Sequence, residues 1–113
     1  MHELALCSAI ARIAERTAAG RKVERVHVDV GHLRQVVPDT LRYSWEMVVF
    51  ETSLEGAELD VRYVPAVIEC RDCGDRTELS ELSFRCASCE SVATDVVAGN
   101  ELLVTALEVV RTT

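Results

Sequence analysis

Residues 70–89 read CRDCGDRTELSELSFRCASC: two Cys-x-x-Cys pairs, Cys70/Cys73 and Cys86/Cys89, with twelve residues between them. Each pair folds into a tight knuckle that aims two thiolates at one point. Two facing knuckles form the four-sulfur tetrahedral shell that Zn²⁺ accepts. Gly74, directly after the second cysteine, eases the first knuckle. The spacer is shorter than the usual ribbon range of about 15–20 residues, so a small hairpin is expected between the pairs. Four protein ligands leave no position open for water, which makes the ion structural and not catalytic. A four-cysteine iron centre shares the same ligand set. A redox protein of the thioredoxin type needs one such pair beside a βαβ pattern, whereas here two pairs sit in a polar, loop-rich stretch. From Cys70 to Ala98 three arginines stand against six carboxylates. That balance repels phosphate, so a protein-binding or purely structural role is favoured over nucleic-acid binding.

On the C-terminal side of this module, Gly99-Asn100 signals a turn. The stretch Glu101–Val110 is apolar on both faces (Leu102, Val104, Ala106; Leu103, Leu107, Val109), which predicts a strand at the centre of a sheet. On the N-terminal side, Leu59, Val61 and Tyr63 alternate with Asp60, Arg62 and Val64, so a strand is expected from about Ala57 to Ile68. Pro65 marks it as an edge strand or a kinked one. Further upstream, Pro38 and Asp39 suit the first turn of a helix that buries Leu41, Trp45, Val48 and Val49. Val37 is a poor cap for it. Val26, Val28 and Val30 alternate with Arg25, His27 and Asp29 as a half-buried strand that Gly31 breaks. The chain opens on a helix from Leu4 to about Ala19. Leu6, Ile10 and Ile13 form its apolar stripe, with Cys7, Ala11 and Ala14 beside them, and Gly20 stops it.

The fold class expected is α+β. A small two-layer domain of a three-stranded sheet with two helices spans residues 1–68 and 99–113, and the zinc-ribbon-like module, residues 69–98, is inserted into it. The 113 residues suffice for one such domain and a satellite. At 49% hydrophobic and 27% charged residues the composition is globular. Twelve basic residues against 19 acidic ones give a net charge of −7, which offers no attraction to nucleic acid or an anionic membrane. Apolar stretches are too short to span a bilayer. The opening Met1-His2-Glu3-Leu4 lacks the features of a signal peptide, so a cytoplasmic protein that keeps its first residue is expected.

Met1-His2-Glu3 carries a second chemistry. The terminal amine, the backbone nitrogen of His2 and its imidazole form fused chelate rings around one cation, and Glu3 adds a backbone nitrogen or a carboxylate oxygen. A square-planar set of nitrogens suits Ni²⁺ or Cu²⁺, while Zn²⁺ goes to the thiolates. The helix that follows leaves its first N–H groups outside the intrahelical ladder, so they can change protonation state. As a bare tripeptide, the same residues are simply a polar terminus. His27 is read as a solvated strand residue, His32 as a loop residue, Asp39 as a helix-start residue and Cys7 as a buried, inert thiol. No phosphate loop and no catalytic constellation is present, so the chain is not expected to be an enzyme.

Taken together, the Met1-His2-Glu3 start, the Cys70/Cys73…Cys86/Cys89 module and the closing Gly99-Asn100-Glu101-Leu102 with Leu107-Glu108 resemble the HypA/HybF family, in the same order along the whole chain. The resemblance implies a nickel metallochaperone for [NiFe]-hydrogenase maturation, with urease as the client in some members. It implies that Met1, His2 and Glu3 hold Ni²⁺ as transient cargo, His2 being the essential ligand, and that the four cysteines hold structural Zn²⁺. It also implies docking to a HypB-type GTPase and to the hydrogenase large-subunit precursor. The chain departs from the family at His32, where members often carry an acidic residue, and in knuckles without a flanking histidine. The alternatives are a zinc-ribbon protein-interaction module with no nickel role and a small redox protein.

Overall fold

In the computed structural model, residues 2–81 and 83–111 are described. Two helices and six strands follow in the order α1 (Glu3–Ala18), β1 (Val23–Gly31), α2 (Pro38–Val49), β2 (Glu58–Val64), β3 (Val67–Cys70), β4 (Arg76–Glu78), β5 (Thr94–Ala98) and β6 (Leu102–Val109). They form two three-stranded sheets, β2-β1-β6 and β4-β3-β5, which is the α+β architecture expected. The chain divides into two compact units.

The first unit comprises the chain through Asp29, then Val36–Arg62, then Leu103 onward. Its core follows from periodicity. Val26 and Val28 of β1 are buried, and α1 packs on α2, with Leu6, Cys7, Ile10 and Ala14 of the first helix and Leu41 and Trp45 of the second buried. Each such large side chain contributes about 1.5–3 kcal/mol of burial. Ile13, expected on the stripe, is 42% exposed. The buried face of α1 is narrower and centres on Leu6, Ile10 and Ala14, with Glu3 at its head. The Cys7 thiol donates to the Leu41 carbonyl at 3.5 Å, and burial followed by the Glu3 charge pushes its pKa up to about 11, as an inert thiol requires. The Trp45 indole N–H donates to the Ala57 carbonyl at 2.9 Å. Helix α1 ends on Ala19 in a left-handed conformation, and the Arg21 guanidinium covers the Ala18 and Thr17 carbonyls.

Two expectations about strands are corrected. The stretch from Ala57 to Ile68 is two strands in two sheets, because Pro65 has no N–H to continue a ladder. The last strand, β6, lies at an edge and not at the centre, and β1 takes the middle. Gly31 N–H to the Glu101 carbonyl and Val110 N–H to the Lys22 carbonyl set β6 antiparallel to β1. Of its two apolar rows one is incompletely covered, and Leu103 is 55% exposed.

His27 is not simply solvated. Its Nδ1 lies 2.9 Å from Asp60 and its Nε2 2.5 Å from Glu108, so one imidazole bridges both edge strands from the middle one. Arg25 adds bonds to Glu108 and Glu58, and Arg62 to Asp29. Hydrogen bonds from Arg25 and then His27 hold the Glu108 carboxyl below its ordinary value of 4.5. A carboxylate lowered by folding stabilises the protein above its unfolded pKa, and that contribution is lost as pH falls through the folded one. Glu108→Gln should therefore flatten the fall in melting temperature below about pH 4.5. Thermal unfolding from pH 7 to 3 reads this, and parallel curves for variant and parent would refute it.

The second unit comprises Val30–Gln35 and Tyr63–Leu102. Strand β3 is central in it, pairing antiparallel with β4 and with β5. Gly31 and Gly99 permit a close backbone approach. A Cβ on Gly31 would sit 2.0 Å from the Gly99 carbonyl oxygen, and one on Gly99 2.4 Å from the Ala66 Cα. The turn at Gly99-Asn100 is thus a packing requirement as well as a chain reversal.

Candidate metal centres

The second unit brings the four predicted cysteines to one point. The thiols of Cys70, Cys73, Cys86 and Cys89 all lie within 4.8 Å of one another. Cys70 is 3.5 Å from Cys89 and Cys73 is 3.6 Å from Cys86, so sulfurs of different knuckles are paired across the centre. Zn–S bonds of about 2.3 Å in a tetrahedron place sulfurs about 3.8 Å apart, which these spacings match. A disulfide would need about 2.05 Å, so the thiols are separate donors. As residues Cys70 and Cys86 are buried, whereas Cys73 and Cys89 are exposed.

The two knuckles are built alike. Cys70 N–H donates to the Asp75 carbonyl and Gly74 N–H to the Cys70 carbonyl. Cys86 N–H donates to the Ser91 carbonyl and Glu90 N–H to the Cys86 carbonyl. The turn needs a left-handed residue after each second cysteine. Gly74 adopts φ +81 and Glu90 adopts φ +64. Glycine does this freely, whereas a glutamate there costs roughly 1–2 kcal/mol. Gly74 is legible in the sequence as a turn residue, whereas Glu90 shows itself only when the two Cys-x-x-Cys pairs are aligned position by position. The Ser91 hydroxyl also donates to the Asp72 carboxylate, tying the knuckles together.

Backbone N–H groups point at the sulfurs. Those of Cys89 and Ser88 draw the Cys86 thiol down to about 7, and that of Cys73 lowers Cys70. The Asp75 N–H pulls Cys73 down too, but burial and the neighbouring thiols outweigh it and push this group up to about 12. Four thiols so close cannot all ionise against one another. A divalent cation at their centre removes that conflict and deprotonates each, so the donor set fits Zn²⁺.

The second candidate lies at the start of α1. His2 is the N-cap of the helix, its carbonyl accepting the Leu6 N–H at 2.9 Å. Its side chain is exposed and makes no capping bond, so the imidazole is available to a cation. Glu3 is different. It is 3% exposed, and its Oε2 accepts the Val37 N–H at 3.0 Å, just ahead of α2. The carboxylate thus supplies the cap that Val37 cannot, at the positive end of α2. Sequence reasoning missed this tether, because nothing local connects residues 34 positions apart. Met1 lies outside the described residues. His32 is exposed at the start of a 3₁₀ turn, and Asp39, exposed, sits in the first turn of α2 as expected.

Comparison with known proteins places this arrangement in context. Residues 1–109 match the family model described as "HypA: Hydrogenase/urease nickel incorporation, metallochaperone". The "Hydrogenase maturation factor HypA" of Desulfatibacillum aliphaticivorans is 38% identical, over 96% of this chain and 87% of that protein. The protein of the same description from Nostoc sp. is also 38% identical, over 96% of each. The solution structure of the Ni metallochaperone HypA from Helicobacter pylori superposes with a TM-score of 0.71 at 25% identity, over 99% of this chain and all of that one.

Proposed function

Because this chain belongs to the HypA family of nickel metallochaperones that serve hydrogenase and urease, we propose that its first three residues carry Ni²⁺ as cargo while its four paired cysteines hold Zn²⁺ for architecture. The observation that carries the reading is the family match over residues 1–109, on a chain in which the thiols of Cys70, Cys73, Cys86 and Cys89 converge at one centre. Nickel is taken by the terminal amine, the His2 backbone nitrogen and the exposed His2 imidazole. Glu3 contributes its backbone nitrogen, since its carboxylate is engaged by the Val37 N–H. Cys70, Cys73, Cys86 and Cys89 bind zinc in a closed shell, which orders the three strands of the module and supplies no open position for chemistry. Residues 1–68 and 99–113 form the nickel-binding part and residues 69–98 the zinc-binding part.

The protein acts in the cytoplasm as a carrier and not as an enzyme. It receives or passes nickel through a HypB-type GTPase and delivers it to the hydrogenase large-subunit precursor, with urease as the alternative client. Consistent with this, no helix is long and apolar enough to cross a membrane among the described residues. A metal inventory tests the division of labour. After dialysis against a mild chelator the protein should retain one zinc per chain, have lost its nickel, and take nickel back one to one. Retention of nickel with loss of zinc would overturn the assignment.

A further inference from the structure

Helix α2 presents two apolar stripes to different surroundings. Leu41, Trp45 and Val49 are 1–4% exposed and belong to the core. Tyr43, Met47 and Phe50, spaced four and three residues apart, are 67, 55 and 64% exposed. Tyr43 and Met47 share one side of the helix, and Phe50 follows directly after its last residue. With Glu46 they line a shallow cavity of about 400 Å³. Phe50 and Glu46 also border a groove of about 520 Å³ between α2 and the start of β2, which Trp45 and Ala57 line as well. Around it stand Glu46, Glu55 and Glu58 with Arg42; Glu58 is paired to Arg25, which leaves Glu46 and Glu55 as the acidic rim. Scattered apolar side chains are normal at a surface, but an aligned aromatic and methionine stripe beside a groove is the pattern of a protein-recognition site.

We propose that this surface docks a basic amphipathic helix of a partner protein. The partner's apolar residues lie against Tyr43, Met47 and Phe50, and its Lys or Arg residues meet the glutamate rim. Charge chooses this occupant over the others. A second copy docked about a twofold axis sets the rim against itself, and a chain of net charge −7 repels its own kind. An anionic lipid surface is repelled as well. A basic segment is attracted by both terms. The shape agrees: the stripe runs along a twelve-residue helix, about 18 Å of rod, against which a second helix of about three turns packs side by side.

The inference rests on the metallochaperone reading only in that a delivery protein needs protein partners. The test is to pan a library of short helical peptides, with fixed leucine positions and randomised charges, on the zinc-loaded full-length protein. Enriched peptides should carry net positive charge, weaken with salt, and bind the Met47→Ser/Phe50→Ser variant at least about tenfold less tightly. Both residues are exposed, so unchanged circular dichroism is expected in that variant. Binding should also alter the emission of Trp45, the sole tryptophan, which lines the groove. Glu46→Lys/Glu55→Lys should reverse the preference toward acidic peptides.

Enriched peptides of neutral or acidic character, equal affinity for the serine variant, or no enrichment would each overturn the proposal. So would a concentration-dependent dimer, or co-sedimentation with phosphatidylserine vesicles, that the serine variant abolishes. Nickel uptake is measured alongside. Its failure in the parent protein would count against the cargo reading and leave the docking result standing.

Discussion

His2→Ala should abolish tight nickel binding and leave the zinc content unchanged. The substitution removes the one exposed side-chain nitrogen at the start of α1 and nothing from the core. Even substitutions outside the ligand shell cost metal sites about 10–100-fold, so loss of an imidazole ligand should cost at least that much. The helix itself should survive, since the His2 contribution to it is a backbone carbonyl accepting from Leu6. Calorimetric titration with Ni²⁺, with circular dichroism as the folding control, reads both. A companion variant extends the chain ahead of Met1. It keeps the imidazole but converts the amine to an amide, and nickel affinity should fall again. Undiminished affinity in the extended protein would remove the amine from the ligand set.

Cys73→Ser should unfold the β4-β3-β5 sheet while α1 and α2 persist. Zinc binding to four-ligand modules is worth about 10–16 kcal/mol in isolated peptides, and in small modules that energy is the folding energy. Among its described residues the second unit buries few apolar side chains: Val30, Ala66, Ile68, Cys70 and Cys86. Cys73 is exposed, so serine there leaves no cavity, and the effect reports on the metal alone. Amide exchange should accelerate at Val67–Cys70, Arg76–Glu78 and Thr94–Ala98 and stay slow within Glu3–Ala18 and Pro38–Val49. Full protection across the module in the variant would contradict the coupling.

Local pattern carried the elements it was able to carry. Alternation over Val26–Val30 and the stripe of α1 place residues by periods of two and 3.6, and both periods are visible in ten residues. The cysteine pairs were legible because metal geometry restricts spacing far more tightly than packing does. The thiols duly converge, and the matches across 96% of the chain favour a metallochaperone over the ribbon-only and redox readings.

What escaped was set by distant partners. Periodicity cannot say whether a doubly apolar strand such as Leu102–Val109 finds two neighbours or one. His27 reads as a solvated residue until β2 and β6 bring Asp60 and Glu108 to its two nitrogens. Pro65 announced a break without saying that the chain would change sheets there. The Glu3 carboxylate has no partner legible in the sequence until the fold delivers the Val37 N–H to it.

Fastening Glu3 to the head of the second helix couples the openings of the two helices through one charged contact. Removing that carboxylate would leave the Val37 N–H without its acceptor, at a cost of about 1–3 kcal/mol.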